Sequence, residues 1–259
     1  MTPPKPNEFV SILEETLSRN GIDYHKFINE IGQVKASEDR KSGKVFSFSE
    51  HLRGLVYAQL SNQRPWGPIA DHVANIDEIF FDFDPDRLQS TPPEYFSDSL
   101  KEIRCGNRQI NKQMVVLSEN INTFKRIVAN HGSLDAFLEK EDAMAIATAL
   151  SYPGTYKLKQ IGLALALEYL KNVGIEAIKP DVHIMRILSS SRLGYLKDNS
   201  DEYEAIIEVL ALAEEAQSNA IYLDNLLWLL GAQNYGNICK KDPSCNLCGF
   251  IEICNYPKK

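Results

Sequence analysis

The sequence predicts an all-α protein. Apolar residues recur at three- and four-residue intervals along most of the chain. No stretch sustains the two-residue alternation of β-branched and polar residues, closed by hairpin turns, that strands require. The length of 259 residues suits one large domain or two small ones. A composition of 44% apolar and 24% charged residues argues against a disordered, collagen-like or disulfide-scaffold chain. No apolar run approaches the roughly 18 residues of a membrane span, and MTPPKPNEF lacks the pattern of a signal peptide. The expectation is a soluble, cytoplasmic protein without a membrane partner, nucleoid-associated in a prokaryote. The formal net charge of −7 gives no bulk electrostatic pointer to nucleic acid.

The helices follow in order. Segment 7–19 places Phe9, Ile12, Leu13 and Leu17 on one stripe, and segment 47–63 does the same with Phe48, Leu52, Leu55, Val56, Ala58 and Leu60. Ile110, Met114, Leu117, Ile121, Phe124 and Val128 define a long helix over 110–129. Segments 142–150, 161–171, 182–189, 202–214 and 219–230 add five more, within a total of nine to eleven. FDFDPDRLQSTPP (81–93) is broken by prolines and acids and reads as a loop. Segment 35–43 is charged, lacks apolar periodicity and reads as a link between lobes. There is no internal repeat and no low-complexity tract.

Cysteine placement carries the first chemistry. Four of the five cysteines, Cys239, Cys245, Cys248 and Cys254, fall within the last 21 residues in the spacing C-x5-C-x2-C-x5-C, and Cys105 stands alone. In a reducing compartment disulfides do not persist, so the cluster points to a metal centre. Four thiolates suit tetrahedral zinc or an iron–sulfur cluster. Zinc sites more often use two CxxC knuckles, and only one is present here, so the spacing favours [4Fe–4S] while leaving zinc open.

Two further segments attract attention. In LKQIGLALALEYL (158–170), Gly162 precedes a very apolar helix and Tyr152-Pro153-Gly154 breaks the chain just before it. Helix, short turn, helix can present turn amides and a helix N-terminus to a phosphate, with Lys157 and Lys159 adding positive charge. The same residues also fit a buried helix after an ordinary turn. In KPDVHIMRIL (179–188), Asp181 stands at an N-cap position ahead of Val182, Ile184, Ile187 and Leu188. Such an aspartate satisfies free helix amides, and the helix dipole also suits it to face a developing cation. His183 reads by itself as a packed histidine.

In this order, the turn, the apolar helix, the Pro-Asp-x-His cap and the four-cysteine loop resemble the helix-hairpin-helix-GPD superfamily of DNA glycosylases, in its endonuclease III-like branch. The resemblance spans roughly residues 45–256. It rests on LLGAQNYGNICKKDPSCNLCGFIEIC, on PDVHIMR, and on LVYAQLSNQ (55–63), with the hairpin weakest. It implies two helical lobes flanking a DNA-binding cleft: 46–175 as a helical barrel with the hairpin, and 1–45 plus 176–259 as the lobe holding the iron–sulfur loop. It implies double-stranded DNA with a damaged or mismatched base as substrate, bound by a protein that works as a monomer. Asp181 is then the catalytic carboxylate, and Gln59 the residue that plugs the gap left by a flipped base. Lys157, Lys159, Gly162, His183 and Arg186 are candidate DNA contacts, joined on a local basic face by Lys179, Lys240, Lys241, Lys258 and Lys259. Tyr57, Trp66, Tyr152 and Tyr156 are candidates for stacking an extruded base.

The chain departs from the family at the hairpin, usually Leu-Pro-Gly-x-Gly, where Gln160 replaces the first glycine. The lysine of bifunctional members, which attacks the sugar as a nucleophile, maps onto Leu163 or Ala164. The resemblance therefore implies a monofunctional glycosylase in which Asp181 stabilises an oxocarbenium-like sugar. The alternatives are a bifunctional glycosylase/lyase using Lys159 or Lys157, and a non-catalytic protein of the same fold that binds DNA structure. A zinc-stapled interaction protein is the reading outside DNA.

Overall fold

The structure, a computed structural model, describes residues 5–256. Among them there are α-helices and short 3-10 turns and no strands. In chain order the helices are α1 (Pro6–Arg19), α2 (Tyr24–Ile31), α3 (Gln33–Lys41), α4 (Phe48–Leu60), α5 (Gly67–Ala70) and α6 (Val73–Ile79). They continue with α7 (Pro85–Ser90), α8 (Pro93–Glu102), α9 (Ile110–Val115), α10 (Leu117–His131) and α11 (Leu134–Leu138). The series ends with α12 (Ala143–Ser151), α13 (Leu163–Asn172), α14 (Val182–Leu188), α15 (Glu202–Glu215) and α16 (Ala220–Gly231). No helix is long and apolar enough to cross a membrane among the described residues.

The sequence reading is corrected in several places: the described residues form sixteen α-helices against the nine to eleven expected, and the single helix expected over 110–129 is divided at Val116 into α9 and α10. The stretch 81–93 is not a loop: Phe81–Phe83 forms a 3-10 turn, and α7 and α8 follow. Its first three residues take left-handed φ values of 53°, 50° and 60°, which no apolar pattern announces. The Asp84 side chain then caps α7 by accepting from the Asp86 and Arg87 amides, with Pro85 at the first helical position. Segment 35–43 lies mostly in α3, a helix that is held by charge rather than by an apolar face.

The chain forms two compact units. One runs up to Val34 and resumes at Glu176, and the other spans Lys35–Ile175. In the first, the apolar α16 packs on α1, α14 and α15. Phe9 of α1 meets Phe250 (5.1 Å between ring centroids) and Tyr195 (5.4 Å), which ties the N-terminal helix to the cysteine-bearing loop. The Gly249 amide donates to Thr16 Oγ1 at 3.0 Å, and a Cβ on Gly249 would stand 2.6 Å from that oxygen. In the second unit, α4 and α13 cross closely over Gly54, where a Cβ would meet Val173 Cγ1 at 2.9 Å.

A buried polar chain closes the second unit. His51 is fully buried; its ring lies 3.0 Å from Asp135 Oδ1 through Nε2 and 2.7 Å from the Tyr169 hydroxyl through Nδ1. A carboxylate only accepts, so Nε2 carries the proton and Tyr169 donates to Nδ1. Asp135 also accepts from Arg40 Nη2 (2.6 Å) and the Phe46 amide (2.5 Å), and Arg40 Nε donates to the Val173 carbonyl (2.9 Å). These bonds fix 35–45 within this unit. Burial pushes Asp135 up, but the bonds from His51, Arg40 and Phe46 outweigh it and hold the carboxyl down to about 2. Burial pushes His51 below its usual 6.5, against the pull of Asp135.

The two shifts act in one direction. Below about pH 6.5 the unfolded chain takes up a proton on His51 that the folded chain refuses, and below about 3.9 it takes one up on Asp135 as well. Stability is therefore expected to be greatest above pH 7 and to fall on acidification, first through the histidine and then through the carboxylate. Urea unfolding midpoints at pH 7.5, 5.5 and 4.0 measure this, and a midpoint that holds level or rises toward pH 5.5 contradicts the assignment.

Candidate active site

Asp181 caps α14 in the first unit. Pro180 precedes it, and its backbone is extended (φ −85°, ψ 177°), which turns the side chain back over the first helical turn. Oδ1 accepts from the His183 amide at 2.7 Å and from the Ile184 amide at 3.1 Å. Oδ2 receives no hydrogen bond from a described residue, and the side chain is half-exposed. One oxygen is thus anchored and the other is available. Val182 beside it is 70% exposed, so the first turn of α14 is open to solvent.

The rest of α14 ties this carboxylate to the cysteine loop. Arg186 Nη2 lies 2.8 Å from His183 Nδ1, and Arg186 Nε donates to the Cys239 carbonyl at 2.9 Å. Burial pushes His183 below its usual range, with the Arg186 and Lys179 charges working against Asp181, so the ring is neutral and accepts from the guanidinium. Gly231 permits this junction: a Cβ there would stand 2.7 Å from His183 Nδ1, 3.1 Å from Arg186 Nη2 and 3.3 Å from the Cys239 carbonyl. The hydrogen bonds make His183 and Arg186 braces between the Asp181 helix and the loop.

Cys239, Cys245, Cys248 and Cys254 line one cavity with Arg192, Pro243, Ile251 and Tyr256, and all four are free thiols. Burial, with nearby Cys248 and Cys254 adding, pushes Cys239 up to about 11 although Arg192 and Arg186 oppose it. Four thiolates gathered there call for a cationic partner. No group of three or more His, Cys, Asp or Glu side chains is arranged to hold a metal ion among the described residues. The loop is secured by Arg192, whose Nη2 donates to the Lys240 and Lys241 carbonyls (3.3 and 3.1 Å) and whose guanidinium covers the Tyr256 ring at 3.8 Å. Lys241 is exposed and Lys240 half-buried, while Lys258 and Lys259 lie outside the described residues.

The second unit carries the hairpin. Gln160 takes φ +57°, so the left-handed turn persists without the glycine that normally favours it. Asn120 grips the turn from both sides: its Oδ1 accepts from the Lys159 amide (2.7 Å) and its Nδ2 donates to the Lys159 carbonyl (3.1 Å). Gly162 is the N-cap of α13 and no side chain caps that end. A Cβ on Gly162 would meet nothing within 4 Å, so the chain is not crowded at this end of α13. Lys159 is exposed beside Glu119 (3.5 Å). Lys157 Nζ donates to the Ile161 carbonyl, and burial and the Lys159 charge lower its pKa.

Two candidates are corrected. Gln59 is fully buried in α4, with neither amide atom hydrogen-bonded, so it cannot enter a duplex without leaving the core. Tyr57 is 6% exposed, its hydroxyl donates to Asp77 Oδ1 (2.9 Å) and Arg53 covers one face of its ring (4.5 Å), so the ring is not open to a base. Tyr156 is half-buried, its hydroxyl bound by His131 (2.8 Å) and Asn130 (3.0 Å). Tyr152 is 56% exposed at the end of α12, and Trp66 is half-exposed. The sequence reading missed Gln63, an exposed glutamine at φ +50° in the turn after α4. The polar run Ser61-Asn62-Gln63-Arg64 was its signal, since Gln59 lies inside the apolar LVYAQL.

No protein-family model matches the chain, and no curated protein is a significant match. Solved structures do match. The 8-oxoguanine DNA glycosylase of Methanocaldococcus jannaschii superposes with a TM-score of 0.57 at 18% identity, over 88% of this chain and 97% of that one. The glycosylase/lyase from the same organism, bound to a 15mer containing 8-oxoguanine, gives 0.56 at 20% identity over 86% and 96%. A trapped endonuclease III–DNA covalent intermediate gives 0.53 at 16% identity over 90% and 96%. The chain has the all-α fold of these DNA glycosylases.

Proposed function

We propose that this chain is a DNA N-glycosylase that extrudes a damaged or mismatched base from double-stranded DNA and hydrolyses its N-glycosidic bond, acting as a monomer. The observation that carries the reading is Asp181, half-exposed with Oδ1 held by two amides and Oδ2 available, in a chain with a DNA-glycosylase fold. As the bond to the base lengthens, positive charge develops on the sugar, and the carboxylate stabilises it and orients a water toward C1′. The uncapped amides of α13 and Lys159 hold the backbone phosphate. Gln63 replaces Gln59 as the side chain that fills the vacated stack.

We read the enzyme as monofunctional, because the first turn of α13 offers Leu163 and Ala164 where a nucleophilic lysine is needed, and Lys157 is engaged by the Ile161 carbonyl. The thiols of Cys239, Cys245, Cys248 and Cys254 fit a [4Fe–4S] cluster, with zinc as the alternative. Cys239, Cys245, Cys248 and Cys254 would hold such a cluster and be cross-linked by it, and Arg186, bonded to the Cys239 carbonyl, would couple that loop to the Asp181 helix. The loop would also present Lys241 to the phosphate backbone.

A panel of duplexes with one lesion each tests the function. The first lesion is 8-oxoguanine, which the solved relatives' descriptions name. Strand breaks that form only after hot alkali are expected. Breaks without alkali, trapped by borohydride, would replace the monofunctional reading with a lyase, and no release from any lesion would leave a DNA-structure binder.

A further inference from the structure

One helix of the first unit carries an apolar stripe that the fold leaves uncovered. In α15, Ala205, Ile206, Val209, Leu212 and Ala213 are buried, and the helix packs on α16, α1 and α14. Tyr203, Ile207 and Leu210 lie on another side at i, i+4 and i+7 and are 50%, 48% and 37% exposed. No other helix carries more than one exposed large apolar side chain among the described residues. The charge around the stripe is one-sided. Residues 198–239 hold eight Asp and Glu and no Lys, Arg or His, which exceeds the chain's net charge of −7. At 100° per residue, Glu204, Glu208 and Glu215 run along one flank of the stripe and Glu214 continues its line. None of these four forms an ion pair among the described residues. The helix gains nothing from them: Glu204 and Glu208 repel at i, i+4, and Glu214 and Glu215 stand at the C-terminal end, where the dipole favours cations. Burial and the Glu215 charge raise the Glu208 pKa, as expected of carboxylates with no cation beside them.

We propose that this face docks a basic amphipathic helix of another protein, whose apolar side chains cover Tyr203, Ile207 and Leu210 and whose Lys or Arg row pairs with Glu204, Glu208 and Glu215. The inference stands independently of the glycosylase reading. Charge selects the occupant. A run of unpaired carboxylates repels duplex DNA and an anionic lipid surface, and a second copy of this chain would bring the same carboxylates against them. A helix suits the stripe because its own i, i+4 and i+7 side chains repeat at the same rise, over about 10 Å. Outside residues 198–239 the chain holds 28 Lys and Arg against 27 Asp and Glu. The acidity of the whole protein is therefore that of this one region, and it serves a partner other than nucleic acid.

The test uses the full chain and a fluorescent synthetic peptide with leucines at i, i+4 and i+7 and lysines along their flank. Beside it stand a scrambled peptide of the same composition and one with glutamate in place of lysine. The basic amphipathic peptide is expected to bind at least about 10-fold more tightly than the scrambled one, and the acidic one not at all. Ile207→Lys is expected to weaken it at least about 10-fold, and so is the pair Glu204→Lys and Glu215→Lys. A pair with the same charge change elsewhere, Glu94→Lys and Glu141→Lys, is expected to stay within about 3-fold of wild type. All five altered side chains are exposed, so unchanged melting curves are expected for every variant. No binding, equal affinity for the scrambled peptide, or binding that survives Ile207→Lys overturns the inference. Equal losses in the two charge-changed pairs mark a general attraction of opposite charges and also overturn it. Sedimentation that shows a dimer dispersed by Ile207→Lys would give the face to a second copy of this chain, with the same consequence.

Discussion

Asp181→Asn is expected to lower the rate of base release at least about 100-fold while leaving DNA affinity and folding nearly intact. The substitution removes charge and little else. Asparagine caps helices about as well as aspartate, and its amide oxygen can accept from the same His183 and Ile184 amides that bind Oδ1. The stability change from such a cap exchange is within about 0.5 kcal/mol, so a large kinetic loss cannot be attributed to unfolding. On the proposed mechanism, what disappears is the negative charge that would face the developing sugar cation, an effect greatest in a site from which DNA has displaced water. Single-turnover release from a lesion-bearing duplex, paired with a binding curve for the same duplex, separates the two quantities. Unchanged release would make Asp181 only a helix cap, while joint loss of release and binding would point to a structural role.

How much of this was legible in the sequence depends on what holds each part together. The long helices were readable because their cores are apolar stripes: Phe9, Leu13 and Leu17 of α1 are fully buried, as are Leu52, Leu55 and Leu60 of α4. The helix α3 was not, because its hold is Arg40 reaching Asp135, a partner 95 residues away that no local pattern contains. The stretch 81–93 hid its helices behind a left-handed turn, although Asp84-Pro85 was a cap signal in plain view. In the candidate site, Asp181 and the cysteines were legible because capping and thiolate clustering follow local chemistry. Gln59 and Tyr57 were misplaced because the face a helical residue presents is settled by tertiary packing. Both lie in a helix buried on nearly every side, where the stripe cannot tell solvent from core. The Arg64 bridge to the Arg104 carbonyl joins loops 40 residues apart, which spacing cannot reveal.

If Cys239, Cys245, Cys248 and Cys254 hold the proposed [4Fe–4S] cluster, Cys248→Ala is expected to abolish iron and acid-labile sulfide binding and to lower the melting temperature by roughly 10 °C, equivalent to about 3–4 kcal/mol for a chain of this size. The reason lies in how little else holds the loop. It has one 3-10 turn and one fully buried ring, Phe250 against Phe9, and its other contacts are mostly isolated bonds such as Arg19 and Asn20 to the Leu247 carbonyl, Gly249 to Thr16, and Arg192 to the Lys240 and Lys241 carbonyls. Burial pushes Cys239 up to about 11 and raises Cys248 as well, so these two thiols resist ionisation without a cation beside them. The damage then reaches the helix that Asp181 caps. The Cys239 carbonyl anchors Arg186, Arg186 holds His183, and both belong to the helix that Asp181 caps. Base release is accordingly expected to fall in Cys248→Ala even at a temperature where most of the chain remains folded. Iron and sulfide analysis, visible absorption and thermal melts of wild type and variant measure this directly. A wild type that contains zinc and no sulfide would assign the cavity to the simpler ion. A wild type with neither, and a variant that melts like it, would remove the metal centre from the argument and leave Asp181 supported by protein contacts alone.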